Sequence, residues 1–442
     1  MPSNPTASNY QLVCGMEIHA ELATESKMFC GCKNDPFGAE KPNIYTCPVC
    51  LGLPGALPVA NKRAIEWTIQ LGLALHCKIN LFSKFDRKHY FYPDLPKAYQ
   101  ISQYDLPFCE NGYLDTEEGR VRIRRIHLEE DTGKLQHKTV DGEKVSLIDF
   151  NRSSVPLVEI VTEPDIHTAV QAKAYAKAIR QLLRFLKIAN CDMEQGGMRL
   201  EANISLTTDP TVLPDYKVEL KNINSFRFME QAIAYETERQ TEILVSGDTP
   251  DQETRGWDMN KQETYTQRTK EAAEDYRYFP DPDLPPIEFT QAAISDLQKD
   301  LPELPDAISK RWQETYAIEP KYLTYFLESQ EAVAWGDELF SLAKTERIEP
   351  NLVANMLVNK KVVADQQTPA ATVIASIKAE TAVSAVDTDT LNVAFEELKT
   401  QFPDEWQRLQ AGETKLTGFF IGQFKRKLGA NIELETIISL LS

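Results

Sequence analysis

Between residues 10 and 22 the chain reads YQLVCGMEIHAEL, a run that alternates from end to end. In a strand successive side chains point to opposite faces. Leu12, Cys14, Met16, Ile18, Ala20 and Leu22 therefore share one side, and Gly15, Glu17, His19 and Glu21 share the other. The first face feeds a core. The second lines up two carboxylates around an imidazole with no basic residue between them, which repels itself unless water or a cation lies over it. A solvated outer face is the competing account of this one strand.

The pattern recurs. In MRLEANISL, 198–206, Met198, Leu200, Ala202, Ile204 and Leu206 turn inward, while Arg199, Glu201, Asn203 and Ser205 turn outward. In YKVELKN, Lys217, Glu219 and Lys221 share a face, and RVRIRRIHLEED, 120–131, is a basic strand running straight into three acids. A sheet whose open face gathers carboxylates, an imidazole and several cations suits a divalent metal holding phosphate oxygens, Mg2+ being the natural candidate. Neither a Gly-x-x-x-x-Gly-Lys-Ser/Thr nor a Gly-x-Gly-x-x-Gly loop occurs, so a P-loop or Rossmann nucleotide site is not expected. SKFDRKHYFYPDLPKAYQISQY, 83–104, mixes cations with aromatics: Lys84, Arg87, Lys88 and Lys97 suit phosphates, and Tyr90, Tyr92 and Tyr99 suit a base or ribose. A surface turn with aromatic anchors has the same composition.

At 442 residues, two or three domains are expected. Up to about residue 290 the pattern is strand-rich, interrupted by helical periodicity at 62–75, 168–187 and 226–245. The proline-dense YFPDPDLPPIEF, 278–289, continues neither helix nor central strand, and the main boundary is placed just after it. Helices are then expected at 306–317, 319–329, 330–345, 350–359 and 414–429, with a terminal apolar helix and a weaker linker or short-helix region over 365–390. The fold class is α+β: a first domain, 1–292, on a mixed, largely antiparallel sheet with flanking helices, then an all-α domain, 293–400, and a small α-helical tail domain, 401–442. A net charge of −18 argues against broad DNA binding. The amino terminus has neither a cationic start nor an apolar core, and no apolar run approaches a membrane span, so the expectation is a soluble, cytoplasmic protein with reduced thiols.

Reduced thiols bear on CGCKNDPFGAEKPNIYTCPVC, 30–50. Cys30 and Cys32 on one turn and Cys47 and Cys50 on another supply the four sulfurs that tetrahedral zinc takes, leaving no open position for substrate. That is a structural site. Four free thiols packed as small hydrophobes are the alternative, and the same bland account serves for Cys14, Cys77, Cys109 and Cys191.

Together these stretches resemble the GatB family, the B subunits of tRNA-dependent amidotransferases. The matching elements are GMEIHAEL, SKFDRKHYFYPDLPKAYQISQ, RIHLEEDTGK, IDFNRSSVPLVEIVTEPD, EANISL, ELKNINSFR and DYRYFPDPDLPP, in family order, with KLTGFFIGQFKRKLGANIELETI near the end. The resemblance implies an enzyme working in a heterotrimer with an amidase subunit, GatA, and a small subunit, GatC. ATP phosphorylates the side-chain carboxylate of Glu-tRNA(Gln) or Asp-tRNA(Asn), and ammonia released from glutamine by the amidase displaces the phosphate. It further implies Glu17, His19, Glu130 and Glu201 around Mg2+ with Glu159 beside them. Asp86, Lys88, Tyr90, Tyr92, Lys97, Tyr99, Asn151, Arg152 and Lys221 become nucleotide or acyl-phosphate contacts, and the cysteine loop a zinc knuckle bracing the edge of the site. Where the family commonly has Arg-Cys-Asp, this chain has Arg199-Leu200-Glu201, one methylene longer at the carboxylate. The tail region is shorter than the family's, although Lys415, Lys425, Arg426 and Lys427 still supply a basic patch for tRNA. Two other readings use the same residues: a tRNA-docking module whose acidic face is inert, and a tRNA-independent kinase or ligase acting on a small carboxylic acid.

Overall fold

A computed structural model describes residues 9–209, 211–269, 276–381, 388–428 and 434–441. The chain folds into two compact units, 1–308 with 327–330, and 309–326 with 331–442.

The first unit is built on a nine-stranded sheet. From edge to edge its order is Glu263–Thr269, Glu253–Asp258, Val218–Ile223, Met198–Thr207, Gln11–Glu21, Pro156–Thr162, Gly119–Glu130, Cys109–Thr116 and Lys78–Ile79. One neighbouring pair, Val218–Ile223 with Glu253–Asp258, is parallel, and the long helix Phe226–Ser246 makes the crossover that a parallel pair requires. The sheet is thus mixed and largely antiparallel, as the alternation predicts. Its apolar face is closed by the helices Lys62–Ala74, Ala169–Phe185 and Phe226–Ser246, through a core that includes Met16, Ile18, Leu128, Ile160, Ile204 and Tyr175. Each large apolar side chain buried there contributes roughly 1.5–3 kcal/mol. The helix ends carry local signals. Asn61 accepts from the backbone N–H groups of Arg63 and Ala64, Thr168 from that of Gln171, and Gly247 closes the third helix at φ 94°, a conformation that favours glycine.

A buried ionic knot ties the helix Phe226–Ser246 to the parallel edge of the sheet. Glu236 is fully buried; its Oε1 lies 3.0 Å from Arg255 Nε, and its Oε2 accepts from Arg239 Nη2 at 2.9 Å and Gln240 Nε2 at 3.0 Å. Arg255 Nη1 also meets Glu253 Oε1 at 2.6 Å, and the Thr264 hydroxyl donates to Glu236.

The expected first domain ends at 292. The helix Gln291–Lys299 runs past that point and buries Ile294 in the first core. At nine residues, capped by Thr290, it is too short for its periodicity to stand out. From Pro305 on, the helices Pro305–Tyr316, Pro320–Phe326, Gln330–Thr345 and Pro350–Val358 correspond to the expected helical runs. Trp312 is fully buried against Phe326 and Phe340, and its indole N–H donates to Asp337 Oδ1 at 2.7 Å, which satisfies its polar end. Gly336 is required here, because a Cβ would come within 2.8 Å of the Trp312 ring. Of the two alternatives for 365–390 the short helix is found: the chain forms the helices Ala370–Thr381 and Thr388–Gln401, while 382–387 lie outside the described residues. Pro403–Gln410 is a helix that the pattern does not announce; none of its residues is buried, so it carries little apolar signal. Thr388–Gln401, Leu416–Leu428 and Leu434–Leu441 close a small core of Leu391, Leu398, Phe420, Phe424 and Ile437. Residue 429 and the side chain of Lys425 lie outside the described residues.

Candidate active site

The central strands place the functional face by register. Glu17 pairs with Val161 on one side and Glu201 on the other, and His19 pairs with Glu159 and Arg199. Glu159 in turn faces His127, and Leu157 faces Glu129. The open face therefore carries, across adjacent strands, the imidazoles of His19 and His127 and the carboxylates of Glu17, Glu129, Glu159 and Glu201.

Three of these converge. His19, Glu129 and Glu159 each offer a ligand atom, all lying within 4.8 Å of one another. His19 Nε2 is 3.3 Å from Glu159 Oε2 and 3.9 Å from Glu129 Oε1. His127 closes the other side, with Nε2 at 3.0 Å from Glu159 Oε2. Ser102 Oγ donates to Glu129 Oε2 at 2.9 Å and holds that carboxylate in place. Glu159 is 6% exposed, and burial alone would favour its neutral form; the flanking His127 and His19 override this and hold its carboxyl well below the usual range. Burial likewise opposes charge on His19, but Glu159 first and then Glu201 and Glu129 lift the imidazole to about 9. The Nδ1 atoms of both histidines are buried without partners.

This geometry sets one expected ligand apart from the others. The metal set expected from the sequence is Glu17, His19, Glu130 and Glu201, yet Glu130 points to the other side of its strand. There its carboxylate receives Lys97 Nζ at 2.7 Å and accepts from the Ile101 backbone N–H at 3.0 Å. Glu129 takes its place at the cluster. The signal is present in RIHLEED, where period two puts His127 and Glu129 on one face and Glu130 on the next. Glu17 lies two residues along its strand from His19, and Glu201 sits opposite Glu17 on the next strand. Burial, then the charges of Glu159 and Glu201, raise the Glu17 carboxyl, and Asn203 Nδ2 donates to its Oε1 at 2.9 Å. Glu201 is paired with Lys221 at 2.8 Å.

The expected nucleotide contacts separate into two groups. Lys88 faces the cluster: burial opposes its charge, but Glu129 and then Glu159 raise it, and its Nζ lies 4.9 Å from the Tyr276 ring centre and 5.9 Å from that of Tyr90. Tyr92 is exposed, and Tyr99 lies under the Arg87 guanidinium at 4.3 Å. Others are spent on the scaffold. Asp86 is buried and paired with Lys84, with its Oδ2 accepting from the Tyr104 N–H at 3.1 Å. Lys97 is held by Glu130, and Arg152 donates to the carbonyls of Thr132 at 3.0 Å and Gly133 at 2.9 Å. Asn151 accepts from the Tyr45 N–H and donates to the Lys41 carbonyl, both at 2.8 Å, and so pins the cysteine loop.

In that loop Cys30, Cys32, Cys47 and Cys50 bring their sulfurs within 4.8 Å of one another. The donor set fits zinc, since four thiolates at one point fill a tetrahedron and need no other ligand. The Cys47 N–H donates to Cys50 Sγ at 3.1 Å, and the wholly buried Lys27 lies 3.9 Å from the same sulfur. A hydrogen bond from Cys30 brings Cys50 down to about 5 against the opposing effect of burial, with Lys27 adding a favourable charge. The protein as purified is expected to carry about one zinc per chain, by metal analysis. Cys47→Ser is expected to lose it together with a thermal shift of several degrees, because metal binding to such a site is folding free energy. Unchanged zinc content in Cys47→Ser would contradict this. Cys14, Cys77, Cys109 and Cys191 are buried thiols, as expected.

Comparison with known proteins bears on the same region. The family profile described as the GatB/GatE catalytic domain matches residues 12–295. The B subunit of an aspartyl/glutamyl-tRNA(Asn/Gln) amidotransferase from Thermomicrobium roseum is 50% identical over 357 residues, covering 78% of this chain and 74% of its own length. Its namesake in Thermodesulfovibrio yellowstonii is 41% identical over 481 aligned residues, covering 98% of this chain and 99% of its own. Another, from Caldanaerobacter subterraneus, is 48% identical over 355 residues, 79% and 73% of the two chains. With a catalytic-domain match that takes in the whole acidic face, and a relative aligned almost end to end, the chain belongs to the GatB family of tRNA-dependent amidotransferase B subunits.

Proposed function

We propose that this chain is the kinase and transamidase subunit of a tRNA-dependent amidotransferase, working in the cytoplasm with an amidase and a small third subunit. It transfers the terminal phosphoryl group of ATP to the side-chain carboxylate of Glu-tRNA(Gln) or Asp-tRNA(Asn), and ammonia then displaces that phosphate to leave the amide. The observation that carries this reading is the convergence of His19, Glu129 and Glu159 on an open sheet face, overlooked by Lys88.

Two anions, a carboxylate and a polyphosphate, must meet for the first step, and their repulsion is the barrier to be lowered. Glu129 and Glu159, with His19, would hold Mg2+, which when bound offsets the charge on the phosphate oxygens. His127 and His19 keep Glu159 ionised and fixed in direction, and Ser102 does the same for Glu129. Lys88, a half-buried cation whose charge these carboxylates favour, would meet phosphate oxygens. The second compact unit and its small carboxy-terminal core are assigned to tRNA, with Lys415, Arg426 and Lys427 as backbone contacts. No helix among the described residues is long and apolar enough to cross a membrane.

The test is phosphate release from ATP by the reconstituted assembly, with and without mischarged tRNA. Release that requires the charged tRNA supports the reading, whereas tRNA-independent release on a free carboxylic acid would favour a small-molecule ligase. Glu130 supplies an internal control. Because it sits in a buried pair with Lys97, Glu130→Gln is expected to cost about 3 kcal/mol of stability while leaving release per folded molecule within a few-fold of wild type. Denaturant midpoints and active-site-normalised rates check both halves.

A further inference from the structure

Lys27 is wholly buried, and a lysine is almost never taken fully out of water unless it is paired. Among the described residues its ammonium has two hydrogen-bond contacts, Cys50 Sγ at 3.9 Å and the Phe150 carbonyl oxygen at 3.2 Å. Neither is a carboxylate. The backbone leaves it no room to turn away. Its N–H donates to the Cys32 carbonyl at 3.0 Å, and its own carbonyl accepts from Nδ2 of Asn61, the cap of the helix Lys62–Ala74, at 3.2 Å. A cation is thus built in beside the sulfurs of the cysteine loop.

The sulfurs account for it. Four thiolates around Zn2+ leave two negative charges in excess. Cys50 has no exposed surface, so water cannot offset its share, whereas Cys30, Cys32 and Cys47 are half-buried. Two donors reach the Cys50 sulfur instead, the Cys47 N–H at 3.1 Å and the Lys27 ammonium. Lys33, in the same loop, is spent elsewhere: its side chain is largely exposed and held by Asp35 at 2.7 Å. The second contact of Lys27 reaches past the loop. Phe150 opens the turn 150–154, whose Asn151 pins the loop and whose Ser153 hydroxyl donates to the Cys50 carbonyl at 2.9 Å.

We infer that Lys27 is the positioning residue of the zinc knuckle: its buried ammonium offsets the excess charge of four thiolates, donates to Cys50 Sγ, and ties the metal-loaded loop to the turn 150–154. The inference rests on the zinc reading of the loop given above. A thiolate that shares its electron density with an ammonium is a poorer nucleophile. Lys27 therefore also slows the electrophiles that strip zinc from such a site.

Competition with a chelator on the full chain decides it, without needing turnover. Lys27→Met keeps the length and the apolar stem but removes the charge, and Lys27→Gln keeps in addition an N–H for the Phe150 carbonyl. Both are expected to hold zinc about tenfold to a hundredfold more weakly and to lose it faster to N-ethylmaleimide. With Co2+ in place of zinc, the sulfur-to-cobalt charge-transfer band should move to lower energy in both. A cycle with Cys32→His separates charge from packing, because a neutral ligand at this half-buried position leaves only one negative charge in excess. In that background the loss of Lys27 should cost severalfold less affinity. Zinc held as tightly by the Lys27 variants as by wild type, or an equal loss in the two backgrounds, would overturn the inference. Variants that fold only with Cys32→His would support it, and variants that fold in neither background would overturn it, since the fold and not the charge would then require Lys27. Failure of the zinc reading itself would show separately, as a wild-type chain that holds no zinc.

Discussion

Replacing Glu159 by glutamine is expected to lower tRNA-dependent phosphate release by about a thousandfold while the chain stays folded. The side chain lies between His19 Nε2 at 3.3 Å and His127 Nε2 at 3.0 Å, so it both offers an oxygen to the convergent site and orients two rings. Glutamine keeps the shape and removes the charge. A carboxylate-bound cation is worth several kcal/mol to a reaction that gathers negative charge, and each ~1.4 kcal/mol is a factor of ten in rate. The check is twofold: single-turnover phosphate release, and the Mn2+ affinity of the free protein by electron paramagnetic resonance, both of which should fall together. Retention of the full rate with Glu159→Gln would place the phosphoryl chemistry elsewhere.

The second large effect is on stability. Glu236→Ala removes the one carboxylate shared by Arg239, Arg255, Gln240 and Thr264, and leaves Arg255, only 8% exposed, with Glu253 as its remaining carboxylate partner. Breaking a buried pair from one side costs about 3–5 kcal/mol, read as a lowered urea midpoint of the first transition. The knot also sets a pH dependence. Burial pushes the Glu236 carboxyl up, but hydrogen bonds and charge from Arg239, then Thr264 and Gln240, bring it below its ordinary value. A folded pKa below the unfolded one, about 4.3, means that the contribution is complete above that value and is lost as pH falls through the folded one. The stability difference between wild type and Glu236→Gln should therefore be constant near neutrality and shrink in acid. A difference that grew on acidification would show that the carboxyl is not held ionised.

Much of the first unit is legible because its central strands follow period two over most of their length. The Gln11–Glu21 and Met198–Thr207 alternations give both the buried face and the polar one, and the three flanking helices announce themselves by periodicity and by Asn61, Thr168 and Gly247 at their ends. What escapes is side-chain direction at a strand end. His127, Glu129 and Glu130 are all visible, but choosing Glu129 requires carrying the alternation through the last residues of the strand, where Glu130 finds Lys97 from a separate loop. Lys97, Asn151 and Arg152 show a related limit. Cations and amides in a dense polar stretch look like ligands for phosphate, yet their partners are backbone carbonyls and carboxylates brought in by folding. The buried knot at Glu236 is invisible for the same reason: Arg255 and Thr264 reach it only through sheet pairing across the 253–269 hairpin. The short helix Gln291–Lys299 is stabilised by its Thr290 cap and the burial of Ile294 more than by pattern.

Which carboxylates of HLEED face the chemistry decides the mechanism, so the most direct measurement compares Glu129→Gln and Glu130→Gln in the reconstituted assembly. Phosphate release from ATP is followed in the presence of mischarged tRNA and normalised to folded protein. Glu129→Gln should lose release by at least about a hundredfold, roughly 2.7 kcal/mol, while Glu130→Gln keeps it within a few-fold. Full release by Glu129→Gln, with loss in Glu130→Gln, would contradict the assignment of Glu129 to the site.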